Sequence, residues 1–194
     1  MKQLMLGNKA LARGLYEAGC SVVSSYPGTP STEITEEAAV YNEIYCEWAP
    51  NEKVALEVAH GATLGGVRAA CAMKHVGLNV AADPLFTISY QGLNAGLVVC
   101  VADDPGMHSS QNEQDSRHYA IAAKLPMLEP SDSEESRVFA KKAFEMSEKF
   151  NVTLEMGRYI AATCGVLISR IADMKMNDTT RYAIIDSGIN HINY

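Results

Sequence analysis

Two uninterrupted apolar runs, Ala69 to Met73 and Leu97 to Ala102, constrain this chain more than any other feature. Runs of strand length without polar alternation are strands covered on both faces, and such strands occupy the centre of parallel sheets flanked by helices. The segments around them agree. Apolar Ala10, Leu11, Leu15 and Ala18 make Asn8 to Glu17 a helical stretch that Gly19 stops, and a strand is expected from Ser21 to Tyr26. A second strand is expected over Ile44 to Trp48. Pro50-Asn51 then opens a helix from Glu52 to about Leu64, with Val54, Ala55, Val58, Ala59 and Ala62 as its stripe and Gly65-Gly66 as its end. Met127-Leu128-Glu129 reads as a further strand, and Ser131-x-x-Glu134 as the capping box of a helix through Glu148. This alternation predicts an α/β fold, a doubly wound, mostly parallel sheet.

Around residue 151 the pattern changes. A core strand begins at Asn151-Val152-Thr153-Leu154, and Gly157-Arg158-Tyr159 interrupts it. Gly165 to Arg170 and Tyr182 to Asp186 then read as antiparallel strands. The expectation is a domain over 1–150 and a short β-rich C-terminal appendage over 151–194.

A net charge of -7 and a pI near 5.2 argue against nucleic acid or an anionic membrane as partner, since an acidic surface attracts neither. The five cysteines are scattered, with no C-x-x-C pair and no histidine at ligand spacing, so no metal site is expected. They read as reduced, buried thiols, which fits a cytoplasmic location. The N-terminal apolar run is too short for a secretion signal, and no run approaches the length of a membrane span.

Candidate chemistry lies where strands end. The loop Tyr26-Pro27-Gly28-Thr29-Pro30 links a strand to a helix, so its N–H groups could meet an anionic or carbonyl-bearing ligand. It could equally be a tight turn with Thr29 as helix cap, Pro30 in the first helical position and Glu33 in the first turn. Lys74 and His75 follow a core strand and face an expected crevice, whereas His60, three residues after Glu57, reads as a packing or surface residue. Glu52 could be a surface acid answering its helix dipole, or, if buried, a functional one. Asp103 to Asp115 is a long polar connector. Arg117 and His118 behind it suit either a carboxylate ligand or a solvated turn. No nucleophile elbow, Walker loop or G-x-G-x-x-G is present, which removes the common hydrolase and phosphate-cradle readings.

Four segments taken together, Ser25 to Glu33, Asn51 to Ala59, Met73 to Pro84 and Asp103 to Arg117, resemble the thiamine diphosphate-dependent 2-oxoacid ferredoxin oxidoreductases, on the indolepyruvate side of the family. The resemblance covers roughly residues 1–150, and Lys74-His75-Val76-Gly77-Leu78-Asn79 is what sets it apart from pyruvate and oxoglutarate enzymes. It implies a pyrimidine-binding (PYR) domain, whose thiamine site is completed by a PP domain, outside this sequence, that holds the diphosphate and magnesium. Glu52, nine residues ahead of Gly61, is implied as the catalytic acid that contacts the pyrimidine N1' and favours the imino tautomer; Glu57 matches less well. Pro27, Gly28 and Thr29 are implied at the cofactor, and Thr29, Lys74 and His75 on the substrate side. The reaction implied is oxidative decarboxylation of an arylpyruvate to an acyl-CoA in amino-acid catabolism, with coenzyme A as acceptor and electrons passing through iron–sulfur clusters to ferredoxin. No cysteine pattern here could hold those clusters, so a PP domain or partner subunit is expected, with no turnover by the chain alone and with dimerisation through the face a PP domain would cover.

The tail, about 152–194, resembles instead the barrel segment of pyridoxal phosphate-dependent diaminopimelate and ornithine decarboxylases, through Glu155-Met156-Gly157-Arg158-Tyr159-Ile160 and Ala183 to His191. The Schiff-base lysine and its barrel are absent and Met156 replaces the usual proline, so pyridoxal phosphate is not expected to bind. The alternative to an enzyme part is a non-catalytic truncated or chimeric protein, serving at most as an interaction module.

Overall fold

The computed structural model describes residues 4–157, 171–177 and 180–185, with side chains through residue 157. The chain divides into two units, Met1–Thr163 and Cys164–Tyr194.

In the first unit the apolar runs become β3 (Ala69–Lys74) and β4 (Leu97–Ala102), the middle of a six-stranded parallel sheet. With β1 (Val22–Ser25), β2 (Tyr45–Trp48), β5 (Met127–Leu128) and β6 (Leu154–Met156), the order is β2-β1-β3-β4-β6-β5. The sheet thus takes an interior strand from beyond residue 150. Leu154 and Met156 are fully buried beside Val98 and Cys100, which carries the first unit past the boundary expected at 151.

Side-chain alternation divides the core. Ala70, Ala72, Val98 and Cys100 point to one face, where they meet Leu11 and Leu15 of α1 (Gly7–Glu17), Ile34 of α2 (Thr32–Ala38) and Phe144 of α7 (Ser133–Phe150). Ala69, Cys71, Met73, Val99 and Val101 point to the other, against Leu56 of α3 (Glu52–Leu64), Leu78 of α4 (His75–Val80) and Leu85 of α5 (Ala82–Gln91). A strand whose two faces are both apolar is the only kind that suits this position. Gly14 lets α1 and α7 approach, since a Cβ there would stand 2.7 Å from that of Ala140.

Two helix starts differ from expectation. Thr29 does not cap α2: the chain turns through residues 29–31, and Ser31 becomes the N-cap, because the Gly28 carbonyl already accepts from the Ser31 N–H at 2.8 Å and its hydroxyl at 2.7 Å. The capping box of α7 lies one residue later, with the Asp132 carboxylate accepting from the Glu135 N–H at 2.8 Å while Glu135 accepts from the Ser131 N–H at 2.7 Å. The Ser131 hydroxyl donates to the Glu135 carboxylate at 2.6 Å instead, which leaves the helix N–H group to Asp132. α3 begins as expected, with the Asn51 side chain accepting from Val54 N–H at 3.0 Å. α5 and α6 (Arg117–Ala123) had no counterpart in the sequence reading.

The second unit contains an antiparallel hairpin of β7 (Ile171–Asn177) and β8 (Thr180–Ile185), irregular between Ile171 and Asp173. The strand expected over Gly165 to Arg170 lies outside the described residues, as do Arg158 and Asp186; Tyr182 to Ile185 fall in β8.

Candidate functional site

From β1 the chain leaves through α2 on one face toward β2; from the adjacent β3 it leaves through α4 and α5 on the opposite face toward β4. Neighbouring strands whose connections diverge in this way open a crevice at their carboxyl ends, the usual ligand position in open α/β sheets. Pro27, Gly28 and Thr29 continue from β1 and Lys74 and His75 from β3, so both expected segments reach this crevice.

The two loops touch. A Cβ on Gly28 would stand 3.1 Å from Lys74 Cδ, so the absence of a side chain at 28 admits the lysine stem. Pro27 and Thr29 are exposed. Lys74 Nζ donates to the Ser109 carbonyl at 3.0 Å, drawing the 103–115 connector over the crevice. His75 is fully buried; its Nε2 lies 2.9 Å from the Asn112 carbonyl, which can only accept, so that nitrogen carries the proton. Its own carbonyl accepts from Gln114 Nε2 at 3.2 Å. His75 therefore fastens the connector, and Lys74 is the more accessible of the pair.

The connector has an internal frame. Asp104 accepts from the Ser109 N–H and the Ser110 hydroxyl, each at 2.7 Å. Burial pushes its carboxyl up, but those bonds, the His108 N–H and the Lys74 charge together hold it below the usual carboxylate range. Arg117 grips the carboxylate of Asp115 through Nε and Nη2, each at 2.8 Å, and this hydrogen bonding is the main cause of the lowered Asp115 pKa. Arg117 thus engages a carboxylate of its own loop, and His118 is exposed.

Glu52 stands at the first turn of α3, half-buried, and its carboxyl lies directly over Gly77 of α4: a Cβ there would stand 2.6 Å from Oε1 and 2.7 Å from Cγ. The Glu52 charge also reaches Cys71 on β3, whose thiol burial pushes well above its ordinary value, with Cys100 and Glu52 adding to the rise. Among the described residues no hydrogen bond or ion pair engages the Glu52 carboxyl; its neighbour Lys53 pairs with Asp83 of α5 at 2.6 Å instead. Glu57, by contrast, is exposed, lining with His60 and Asp83 a shallow pocket of about 260 Å³. Lys74 and Gly77 belong to one short turn, which therefore touches Gly28 on one side and Glu52 on the other.

Sequence reasoning missed a second acid at the same edge. Glu155 of β6 is fully buried, and among the described residues neither carboxyl oxygen has a hydrogen-bond partner. Burial, with the charges of Asp103 and Glu129 added, pushes its pKa up to about 8. No group of metal-ligating side chains occurs among the described residues.

With this geometry established, comparison with known proteins is direct. Residues 13–156 match the thiamine diphosphate-binding domain of pyruvate flavodoxin/ferredoxin oxidoreductases. The chain belongs to that family. Within it, the chain is 52% identical over 165 residues to indolepyruvate oxidoreductase subunit IorA of Archaeoglobus fulgidus, covering 81% of this chain and 26% of the relative. It is 55% identical over 150 residues to the IorA subunit of Pyrococcus abyssi, covering 76% of this chain and 23% of the relative. Ketoisovalerate oxidoreductase subunit VorB of Methanothermobacter thermautotrophicus is more distant, at 26% over 157 residues, covering 76% of this chain and 45% of the relative. The chain thus spans about a quarter of the length of the indolepyruvate relatives it matches. The fold is shared with the 2-oxoglutarate:ferredoxin oxidoreductase of Magnetococcus marinus, at TM-score 0.72 and 20% identity over 81% of this chain and 29% of that one. Thiamine diphosphate binding is the property that defines this domain family.

Proposed function

We propose that this chain is the pyrimidine-binding part of a thiamine diphosphate-dependent 2-oxoacid ferredoxin oxidoreductase of the indolepyruvate type. Glu52 is its catalytic acid. One observation carries the reading: a half-buried carboxyl at the sheet's carboxyl edge is held in place by packing and, among the described residues, engaged by no other side chain. Such a carboxyl suits a heterocyclic nitrogen, to which it can donate or from which it can accept a proton. When bound, the cofactor would supply the carbanion equivalent and the electron sink that decarboxylation of a 2-oxoacid needs. Glu52 would orient the pyrimidine and hold a proton at N1', and the backbone at Pro27, Gly28 and Thr29 would help to hold the group. Thr29 and Lys74 face the substrate, where the ammonium attracts its carboxylate, and His75 keeps the connector closed so that water is excluded.

Magnesium and diphosphate fall to a PP domain or partner subunit, as do the iron–sulfur clusters that pass electrons to ferredoxin. Arylpyruvate and coenzyme A are the substrates, the setting is cytoplasmic amino-acid catabolism, and the domain works as part of a dimer. Among the described residues no helix is long and apolar enough to cross a membrane.

Calorimetric titration of the chain with thiamine diphosphate and magnesium tests this, with and without a separately expressed PP domain and with Glu52→Ala. Binding that requires the PP domain and weakens in Glu52→Ala is expected. No binding under any condition would leave the second reading, a non-catalytic truncated or chimeric protein, which the change of sequence pattern beyond the family match at residue 156 favours.

A further inference from the structure

Glycine in a helix costs about 1 kcal/mol relative to alanine, so each one asks for a reason. Gly77 is the third residue of α4, and its φ is not positive, so the backbone there does not demand glycine. The reason is space. The position a Cβ would take is already filled by Glu52, with Oε1 at 2.6 Å, Cγ at 2.7 Å and Cδ at 2.9 Å. Real Cβ contacts are not that short, and a conflict at Cγ as well as Oε1 cannot be relieved by turning the carboxyl alone; the side chain must leave its rotamer.

We infer that Gly77 is the positioning residue for Glu52: it is the floor on which the acid rests and the feature that keeps its carboxyl turned into the crevice. The role rests on the reading of Glu52 given above. The floor is itself anchored, because His75, two residues earlier in α4, is fully buried and bonded through Nε2 to the Asn112 carbonyl of the connector. Lys74 packs on Gly28 and bonds to Ser109. One turn of chain thereby ties the placement of the acid to the placement of the loop above it.

Two measurements test this. In the full chain without cofactor, urea midpoints are compared for wild type, Gly77→Ala, Glu52→Ala and the double variant. Gly77→Ala is expected to lower the midpoint when Glu52 is present and to leave it unchanged or raise it in Glu52→Ala, where the three crowded atoms are gone. Equal shifts in both backgrounds would overturn the contact. In the chain reconstituted with a PP domain, Gly77→Ala is expected to weaken thiamine diphosphate binding roughly tenfold or more while Glu52 is present, and to add no further loss on the Glu52→Ala background. A purely structural role would weaken binding equally in both backgrounds, and that result would overturn the positioning role. Failure of the wild type to bind under any condition would defeat the reading of the site itself, whereas the urea comparison stands or falls without cofactor.

Discussion

Glu52 and Glu155 lie in the same sheet unit and in opposite circumstances. Around Glu52 each choice supports its neighbours: Asn51 caps α3, Gly77 makes room for the side chain, and Lys74 and His75 bind the connector to the crevice. Around Glu155 there is no such agreement. A carboxyl is enclosed in β6 with no hydrogen-bond partner among the described residues, and Asp103 and Glu129 repel its charge. The difference teaches that the crevice end is a mutually consistent solution, while β6 is a backbone fit carrying a side chain its surroundings do not serve.

The strongest way to break this contrast is Glu155→Gln. The folded pKa of Glu155 is about 8 against an ordinary 4.5, so the native state keeps a proton that the unfolded chain releases. Its stability is therefore full below the unfolded value and is lost as pH rises toward the folded one. Glu155→Gln is expected to stabilise by on the order of a few kcal/mol at pH 8 and above, and by much less near about pH 4.5. Urea unfolding at the two pH values checks this, and an unchanged pH slope would mean that Glu155 is served after all.

Changes at the crevice end should cost stability. The Ser25 hydroxyl bonds to Thr35 Oγ1 at 2.6 Å and accepts from the Ala72 N–H at 3.3 Å, both buried. Ser25→Ala is expected to cost about 1–3 kcal/mol by leaving those groups unmatched, and a thermal melt with no loss would contradict it. Asn51→Ala should cost about 1 kcal/mol through the lost cap of α3, seen as earlier exchange of the Val54 amide. The smallest effect belongs to the exposed Lys141–Glu145 pair of α7, at 3.9 Å. Lys141→Ala should change stability by under about 1 kcal/mol, and raised salt should shrink the difference further.

The fold was legible because β3 and β4 are apolar on both faces and because Gly19, Pro50-Asn51 and Gly65 punctuate the helices where they end or begin. α5 was not, since Asp83-Pro84 resembles a turn until its packing on α3 is known. The extent of the strand expected from Asn151 was obscured for a related reason: Leu154-Glu155-Met156 carries a charge, and only the sheet shows that its two apolar side chains point into the core. At the crevice, sequence supplied Glu52, Lys74 and His75 as separate marks. What joins them, the missing side chains of Gly28 and Gly77, is invisible to composition because it consists of space reserved for a residue far away in sequence.

The placement of β6 between β4 and β5 has a consequence for synthesis. As the chain emerges, β4 gains β3 early but waits for residues 154–156 to cover its other edge, and β5 has no neighbour until then. A nascent or clipped chain ending at residue 150 would offer a fully apolar strand with an open row of backbone donors and acceptors, a template for self-association. Residues 154–156 close that open edge of β4 and give β5 its partner.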